Sequence, residues 1–227
     1  MANDIAVLHQ WEVSPFCGKV RRILDEKKIP YKTKNYNGRL APLAAKLSDV
    51  GKLPVLDING ERISDSHKIA QYLEDNFPDR NPLIPENKKE KAQMKIYQDW
   101  AGGSLYWYCF FFRFNYDDAW NKTAEYFSKG RPAFEKQIVK SVGRIQYLKQ
   151  LKGHGISRYP KHQVEADFIE LIKQLEETLS DQQWLVGEKK TLADIAVASQ
   201  LHEIKRTSHM ADHLTALPSL TDWLNRI

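Results

Sequence analysis

The sequence predicts a small α/β unit followed by an all-helical one. Three observations carry this. Short β-type runs alternate with helical periods only in the first 78 residues. A proline-punctuated stretch follows at once, with Pro78, Pro82 and Pro85. From residue 88 onward the periodicity is helical alone. The predicted division is residues 1–78, a stiff linker at 79–87, and an all-helical unit at 88–227. A chain of 227 residues fits one large domain or two small ones.

Residues 5–9 read as a short buried strand. Pro15 opens a helix, with Phe16, Val20, Ile23 and Leu24 on one face. Residues 29–33 read as a second strand, residues 39–47 as a weak helix and residues 54–58 as a third strand. Asn59-Gly60 is a hairpin turn, because both residues tolerate positive φ, and residues 61–63 pair back. Residues 65–77 form the next helix, with Ile69, Tyr72 and Leu73 inward. In the second unit, Phe134, Ile138, Val142, Ile145 and Leu148 form an apolar stripe behind Pro132. Val164, Phe168, Leu171, Ile172, Leu175 and Leu179 form another. Thr191-Leu-Ala-Asp194 reads as a capping box, in which the hydroxyl caps free amides and the carboxylate reaches back to a backbone N–H.

Composition excludes several classes. Apolar residues make up 42% and charged residues 28%, near globular averages, and no unbroken apolar run approaches the length of a membrane span. The net charge of +5 is interspersed, as where Lys88, Lys89 and Lys91 sit beside Glu86 and Glu90. The clustered footprint of a nucleic-acid groove is missing. Cys17 and Cys109 cannot make a disulfide framework, and the N-terminus carries no basic-then-apolar leader pattern. The expectation is a reducing, cytoplasmic compartment. His209 and His213 lie four apart but lack acidic or thiol partners at a convincing spacing, so no metal site is expected.

The informative segment is Ser14-Pro-Phe-Cys-Gly-Lys-Val-Arg21. It sits where a strand hands over to a helix, and helix N-termini favour anions. Its spacing copies a Cys-x-x-Cys redox turn with Ser14 in the first position. A serine hydroxyl has no redox chemistry but can donate a hydrogen bond to a thiolate on a ligand; the plainer reading is an N-cap. Gly51-Lys-Leu-Pro-Val-Leu56 puts Pro54 at a strand start. A cis Leu53-Pro54 bond would turn the Leu53 backbone toward an extended peptide. Ser64-Asp-Ser66 opens the next helix, where Asp65 can bind an ammonium and Ser66 with nearby amides a carboxylate, or Asp65 can simply cap. Together these pieces suit a short zwitterionic peptide bearing a thiol.

Ser-Pro-x-Cys-x-Lys-Val-Arg, Gly-Lys-Leu-Pro-Val-Leu, Asp-Ser-x-x-Ile and Trp-Leu-Val-Gly-x-x-x-Thr-Leu-Ala-Asp-Ile, in that order, resemble the cytosolic glutathione transferases. The resemblance runs along almost the whole chain. It implies a thioredoxin-like glutathione-binding domain, a helical-bundle domain, a homodimer, and glutathione as substrate with no cofactor. It implies that Ser14 stabilises the glutathione thiolate. Leu53, before Pro54, would bond the cysteinyl backbone, Asp65 and Ser66 would hold the γ-glutamyl group, and Arg39 would meet the glycyl carboxylate. The second-substrate pocket is expected from Phe16, Tyr106, Tyr108, Phe111 and Phe112. The aromatics between residues 100 and 116 cover every helix face, so some must line a cavity or interface unless all pack as core. Gly102-Gly103 should weaken or bend that helix. Residues 151–159, Leu-Lys-Gly-His-Gly-Ile-Ser-Arg-Tyr, resemble the metaxin-like and axon-connection branch of the same superfamily. The implied reaction joins the glutathione thiolate to a hydrophobic or aromatic electrophile. The rivals are a glutathione-binding scaffold without turnover and a glutathione-dependent isomerase or reductase.

Overall fold

A computed structural model describes residues 5–227. Four strands form one mixed sheet: β1 (Ala6–Gln10), β2 (Tyr31–Asn35), β3 (Val55–Ile58) and β4 (Glu61–Ser64), in the order β2-β1-β3-β4. β1 runs parallel to β2 and antiparallel to β3, and β3 pairs antiparallel with β4. The hairpin between them turns at Asn59 and Gly60, with φ of 52° and 79°. Both helical faces expected here form. α1 (Pro15–Glu26) and α3 (Ser66–Asn76) close over Ala6, Leu8, Leu56 and Ile58 and bury Val20, Ile23, Leu24, Ile69 and Leu73.

Three expectations need correcting. The weak helix at 39–47 shrinks to a 3-10 turn at Gly38–Leu40 and a single turn, α2 (Ala41–Ala44). On α1, Phe16 is only half-buried, while Cys17 is the fully buried member of that turn. Tyr72 likewise stays half-buried beside the fully buried Ile69 and Leu73.

The helical part contains α4 (Lys88–Trp100), α5 (Tyr106–Asn115), α6 (Asp117–Phe127), α7 (Ala133–His154), α8 (Lys161–Leu179), α9 (Leu192–Thr207), α10 (Ala211–Thr215) and α11 (Pro218–Asn225). α9 is buried along nearly its whole length and packs on both α1 and α4, so it is the spine joining the two parts. The stretch before α4 is pinned as well: the Leu83 amide donates to Glu74 at 3.0 Å, and the Leu83 carbonyl accepts from the Leu192 amide at 3.0 Å.

α4 and α5 are joined by a π-helical turn at Ala101–Leu105, where Gly102 and Gly103 sit. Two glycines make such widening cheap, and wide turns of this kind gather at functional sites. The stripe Phe134, Ile138, Val142, Ile145 and Leu148 does lie on one helix, α7, but it faces outward.

Candidate functional site

Strand register brings the three sequence motifs to one end of the sheet. His9 pairs with Val55, and Val55 pairs with Ser64. The end of β1, the start of β3 and the end of β4 therefore lie side by side. Ser14 follows the first, Leu53 and Pro54 precede the second, and Asp65 and Ser66 follow the third.

Ser14 is the N-cap of α1. Its extended backbone lets the side-chain oxygen accept from the Cys17 amide, at 3.4 Å. The Gly18 amide closes the first helical turn on the Ser14 carbonyl at 2.8 Å, and the Ser14 amide donates to the Trp11 carbonyl at 3.1 Å. Accepting one bond leaves the hydroxyl proton of Ser14 to donate elsewhere, so the capping role and a ligand role coexist. Cys17 is fully buried, and burial pushes its thiol up to about 11, leaving it protonated at neutral pH.

The Leu53-Pro54 peptide is cis. Asp65 caps α3 with φ of 78°, its carboxylate accepting from the amides of His67 at 2.8 Å and Lys68 at 3.2 Å. Its side chain is still about half exposed, so its charge faces solvent beside the buried Ser66.

Sequence reasoning missed several residues here. The π turn approaches closely: a Cβ on Gly102 would lie 3.7 Å from the Phe16 ring and 3.9 Å from the His67 ring. Beneath them Lys19 is buried, its Nζ donating to Gln98 Oε1 at 2.8 Å. Burial pushes its ammonium down to about 8, with Asp65 and Asp99 pulling the other way. The only signal in the sequence was a lysine at an inward helical position.

This lysine makes a testable prediction. Between about pH 8 and the ordinary lysine range near 10.4 the unfolded chain binds more protons at this site than the folded one, so stability contributed here rises with pH. Lys19→Met should be more stable than the parent at pH 7, and the difference should shrink as pH approaches 10. Melting temperatures of the two proteins measured side by side across that range check it; a constant difference rejects the assignment.

An apolar cavity of about 310 Å³ opens between the segment 36–42 and α7. Its wall includes Trp11, Tyr36, Pro42, Phe127, Val139 and Tyr147. Tyr36 is tied down by a line of polar contacts: its hydroxyl meets His9 Nδ1 at 2.7 Å, His9 Nε2 meets Asp57 at 3.0 Å, and Asp57 takes two bonds from Arg62 at 2.7 Å each. Arg62, and then His9, hold the Asp57 carboxyl down at about 2.

The structure places the expected pocket aromatics elsewhere. Phe111 and Phe112 are buried in the helical core, with Phe112 packed edge-on to Phe168 at 5.1 Å between ring centroids. Tyr108 leans on Phe168 at 5.6 Å. Phe16 and Tyr106 pack on each other at 5.0 Å, at the π turn rather than on the cavity. The apolar cavity is lined instead by residues from the first strand's end and from α6 and α7, whose approach to the segment 36–42 no local pattern encodes.

Arg39 also differs from expectation. Its Nε and its backbone amide both bind Glu135 of α7, at 2.8 and 3.0 Å, and Arg131 binds the same carboxylate. Arg131 first, then Arg39, hold that carboxyl at about 2. Arg39 therefore braces the cavity wall against α7, while its side chain stays largely exposed. Arg113, similarly, is spent on a buried pair with Glu203 at 3.0 Å.

Among the described residues no group of three or more His, Cys, Asp or Glu side chains is placed to hold a metal ion, and no helix is long and apolar enough to cross a membrane.

Two family profiles match the chain: the N-terminal domain of glutathione S-transferases over residues 8–81 and the C-terminal domain over residues 157–227. Glutathione S-transferase U22 of Arabidopsis thaliana is 31% identical over 108 residues, which is 47% of this chain and 49% of that protein, so the chain spans about half the length of that relative. Protein LigF of Sphingobium sp. strain SYK-6 is 28% identical over 190 residues, 80% of this chain and 72% of LigF. The crystal structure of the beta-etherase LigF from Sphingobium sp. strain SYK-6 superposes with a TM-score of 0.65 over 98% of this chain and 94% of LigF, at 20% identity, which shows a shared fold. Failed axon connections of Drosophila melanogaster is 26% identical over 252 residues, covering 99% of this chain and 57% of that protein.

Proposed function

Because the chain belongs to the cytosolic glutathione transferase superfamily, whose substrate is glutathione, we propose that it joins the glutathione thiolate to a hydrophobic or aromatic electrophile. The observation that carries this reading is the position of Ser14. Its hydroxyl sits at the N-terminus of α1, three residues after Trp11, which lines the apolar cavity. Glutathione lies across the sheet end, with its cysteinyl backbone on Leu53 beside Pro54 and its γ-glutamyl group on Asp65 and Ser66. The Ser14 hydroxyl donates to the sulfur, and the helix end adds positive potential. Both favour the thiolate over the thiol. One unit of thiol pKa is about 1.4 kcal/mol.

The thiolate sulfur then attacks an electrophilic carbon held in the cavity. A carbon–sulfur bond forms as the bond to the leaving group breaks, and the leaving group takes the electron pair. The thiol proton has already passed to solvent. Holding both reactants in one cleft adds the usual proximity advantage. Cys17 takes no part, since a buried thiol at about 11 supplies no thiolate at neutral pH.

The test pairs a conjugation assay on a generic aryl halide with a calorimetric measurement of glutathione binding. Binding together with turnover supports the reading, and binding without turnover favours a scaffold of the same fold.

The recognition role of Asp65 needs a careful substitution. Alanine would remove both the cap and a residue type that tolerates positive φ. Asn tolerates that backbone and keeps an oxygen for the His67 and Lys68 amides, so Asp65→Asn isolates the charge. It should weaken glutathione binding about tenfold, the scale of one exposed charge-assisted bond, while the reactivity of bound thiolate stays nearly constant. Unchanged affinity in calorimetry rejects the ammonium-binding role.

A further inference from the structure

The outward face of α7 is apolar where a solvated helix face would be polar. Gly143 and Leu151 fix its orientation. A Cβ on Gly143 would lie 3.4 Å from Trp120, and Leu151 is fully buried. On the opposite side, Phe134, Ile138, Val142, Ile145 and Leu148 are 55, 54, 57, 53 and 37% exposed. They run about 20 Å along the helix at 1.5 Å per residue. Single exposed apolar residues are ordinary, but a continuous stripe marks a contact surface.

The charges say what the surface meets. Of the five cations on α7, Lys136 and Arg144 are paired with Glu125 and Asp117 of α6; the helix itself carries one acid, Glu135. That acid is buried and already held by Arg131 and Arg39. Lys149 and Lys152 project from the same face as the stripe by helical spacing, and among the described residues neither has an ion-pair partner. The adjoining segment after α7 adds the exposed Tyr159.

We propose that α7 docks on an anionic lipid surface, its apolar stripe entering the headgroup boundary and its lysines meeting lipid phosphates and carboxylates. A long amphipathic helix with a basic polar flank is the form such a contact takes. A second copy packed on this stripe would offer Lys149 and Lys152 no acid from its own stripe. The unpaired lysines at the C-terminal end of the stripe suit an anionic bilayer surface, whose apolar interior takes the stripe. Ile138 and Val142 also line the apolar cavity walled by Trp11 and Tyr36. Resting on the proposed conjugation reading, the docked cleft would open toward the lipid phase, and its electrophiles would be membrane-partitioned compounds.

Vesicle sedimentation tests this with the full chain. Vesicles of phosphatidylcholine containing about one-third phosphatidylserine should retain the protein at least about tenfold better than phosphatidylcholine alone, and raised salt should weaken retention. Ile145→Glu with Leu148→Glu should abolish retention. Lys149→Glu with Lys152→Glu should remove the preference for phosphatidylserine. All four positions are exposed, so the variants should keep the parent's melting temperature, which is measured alongside, and the parent's glutathione affinity. Absence of retention overturns the proposal. So does a parent that light scattering shows to be a dimer and that Ile145→Glu converts to monomer, because a second copy then covers the stripe. Failure of conjugation in the earlier assay leaves the lipid result standing on its own.

Discussion

Asp194→Ala is expected to destabilise the protein by at least about 3 kcal/mol, well beyond the roughly 1 kcal/mol of a simple cap. The capping box forms as the sequence predicts: Thr191 Oγ1 accepts from Ala193, and the Thr191 amide donates to Asp194 at 2.8 Å. The carboxylate does more than that motif requires. It also accepts from the Leu185 amide at 2.8 Å and from Trp223 Nε1 at 3.0 Å, and from the Thr191 hydroxyl at 3.0 Å. Asp194 is wholly buried, as is Trp223, so alanine leaves several donors unsatisfied in a dry interior, each costing about 1–3 kcal/mol unless water enters. For a chain of this size that corresponds to a fall in melting temperature of about 6 °C or more. Thr191→Ala should cost less, because it removes one hydroxyl and leaves the three N–H donors with their acceptor. The double variant should cost less than the sum, since both changes dismantle one network. Folded Asp194→Ala should bind glutathione with near-parent affinity. Unchanged thermal stability with lost glutathione binding would reverse the assignment.

Ser14→Ala should act on rate and not on the fold. Losing one charge-assisted hydrogen bond to the thiolate removes about 1.5–3 kcal/mol of transition-state stabilisation, roughly tenfold to over a hundredfold in turnover. The thiol pKa of bound glutathione should rise, so the pH–rate profile should shift to higher pH, and calorimetry should find glutathione affinity within a few-fold of the parent. Stability should fall little, because the cap bond to the Cys17 amide is long at 3.4 Å. Ser14→Thr keeps a hydroxyl and should retain part of the rate. An active enzyme whose alanine variant kept its full rate and pH profile would lack any catalytic role for this hydroxyl.

Much of this molecule is legible residue by residue. The strand and helix order, the hairpin at Asn59-Gly60, the Ser14 cap with Pro15 behind it and the Thr191–Asp194 box all follow from local rules, because turns, caps and amphipathic periods are decided by neighbours a few positions away. Even the weakening of the helix at Gly102-Gly103 is a local property, and it emerges as a π turn. That Ser14, Pro54 and Asp65 would share one sheet end was readable as a resemblance, while its cause lies in the register His9–Val55–Ser64.

What only the tertiary structure decided is which way surfaces face. Periodicity shows that Phe134, Ile138, Val142, Ile145 and Leu148 share a side of α7. It does not say that this side looks away from the core, because that depends on where Gly143 lets Trp120 approach. In the same way Phe111 and Phe112 became core, and Trp11, Tyr36 and Tyr147 became cavity wall, through contacts between segments that can lie more than a hundred residues apart. Arg39 found its partner, Glu135, across such a distance. Local sequence specifies an element and its apolar side; long-range packing decides what, if anything, covers that side.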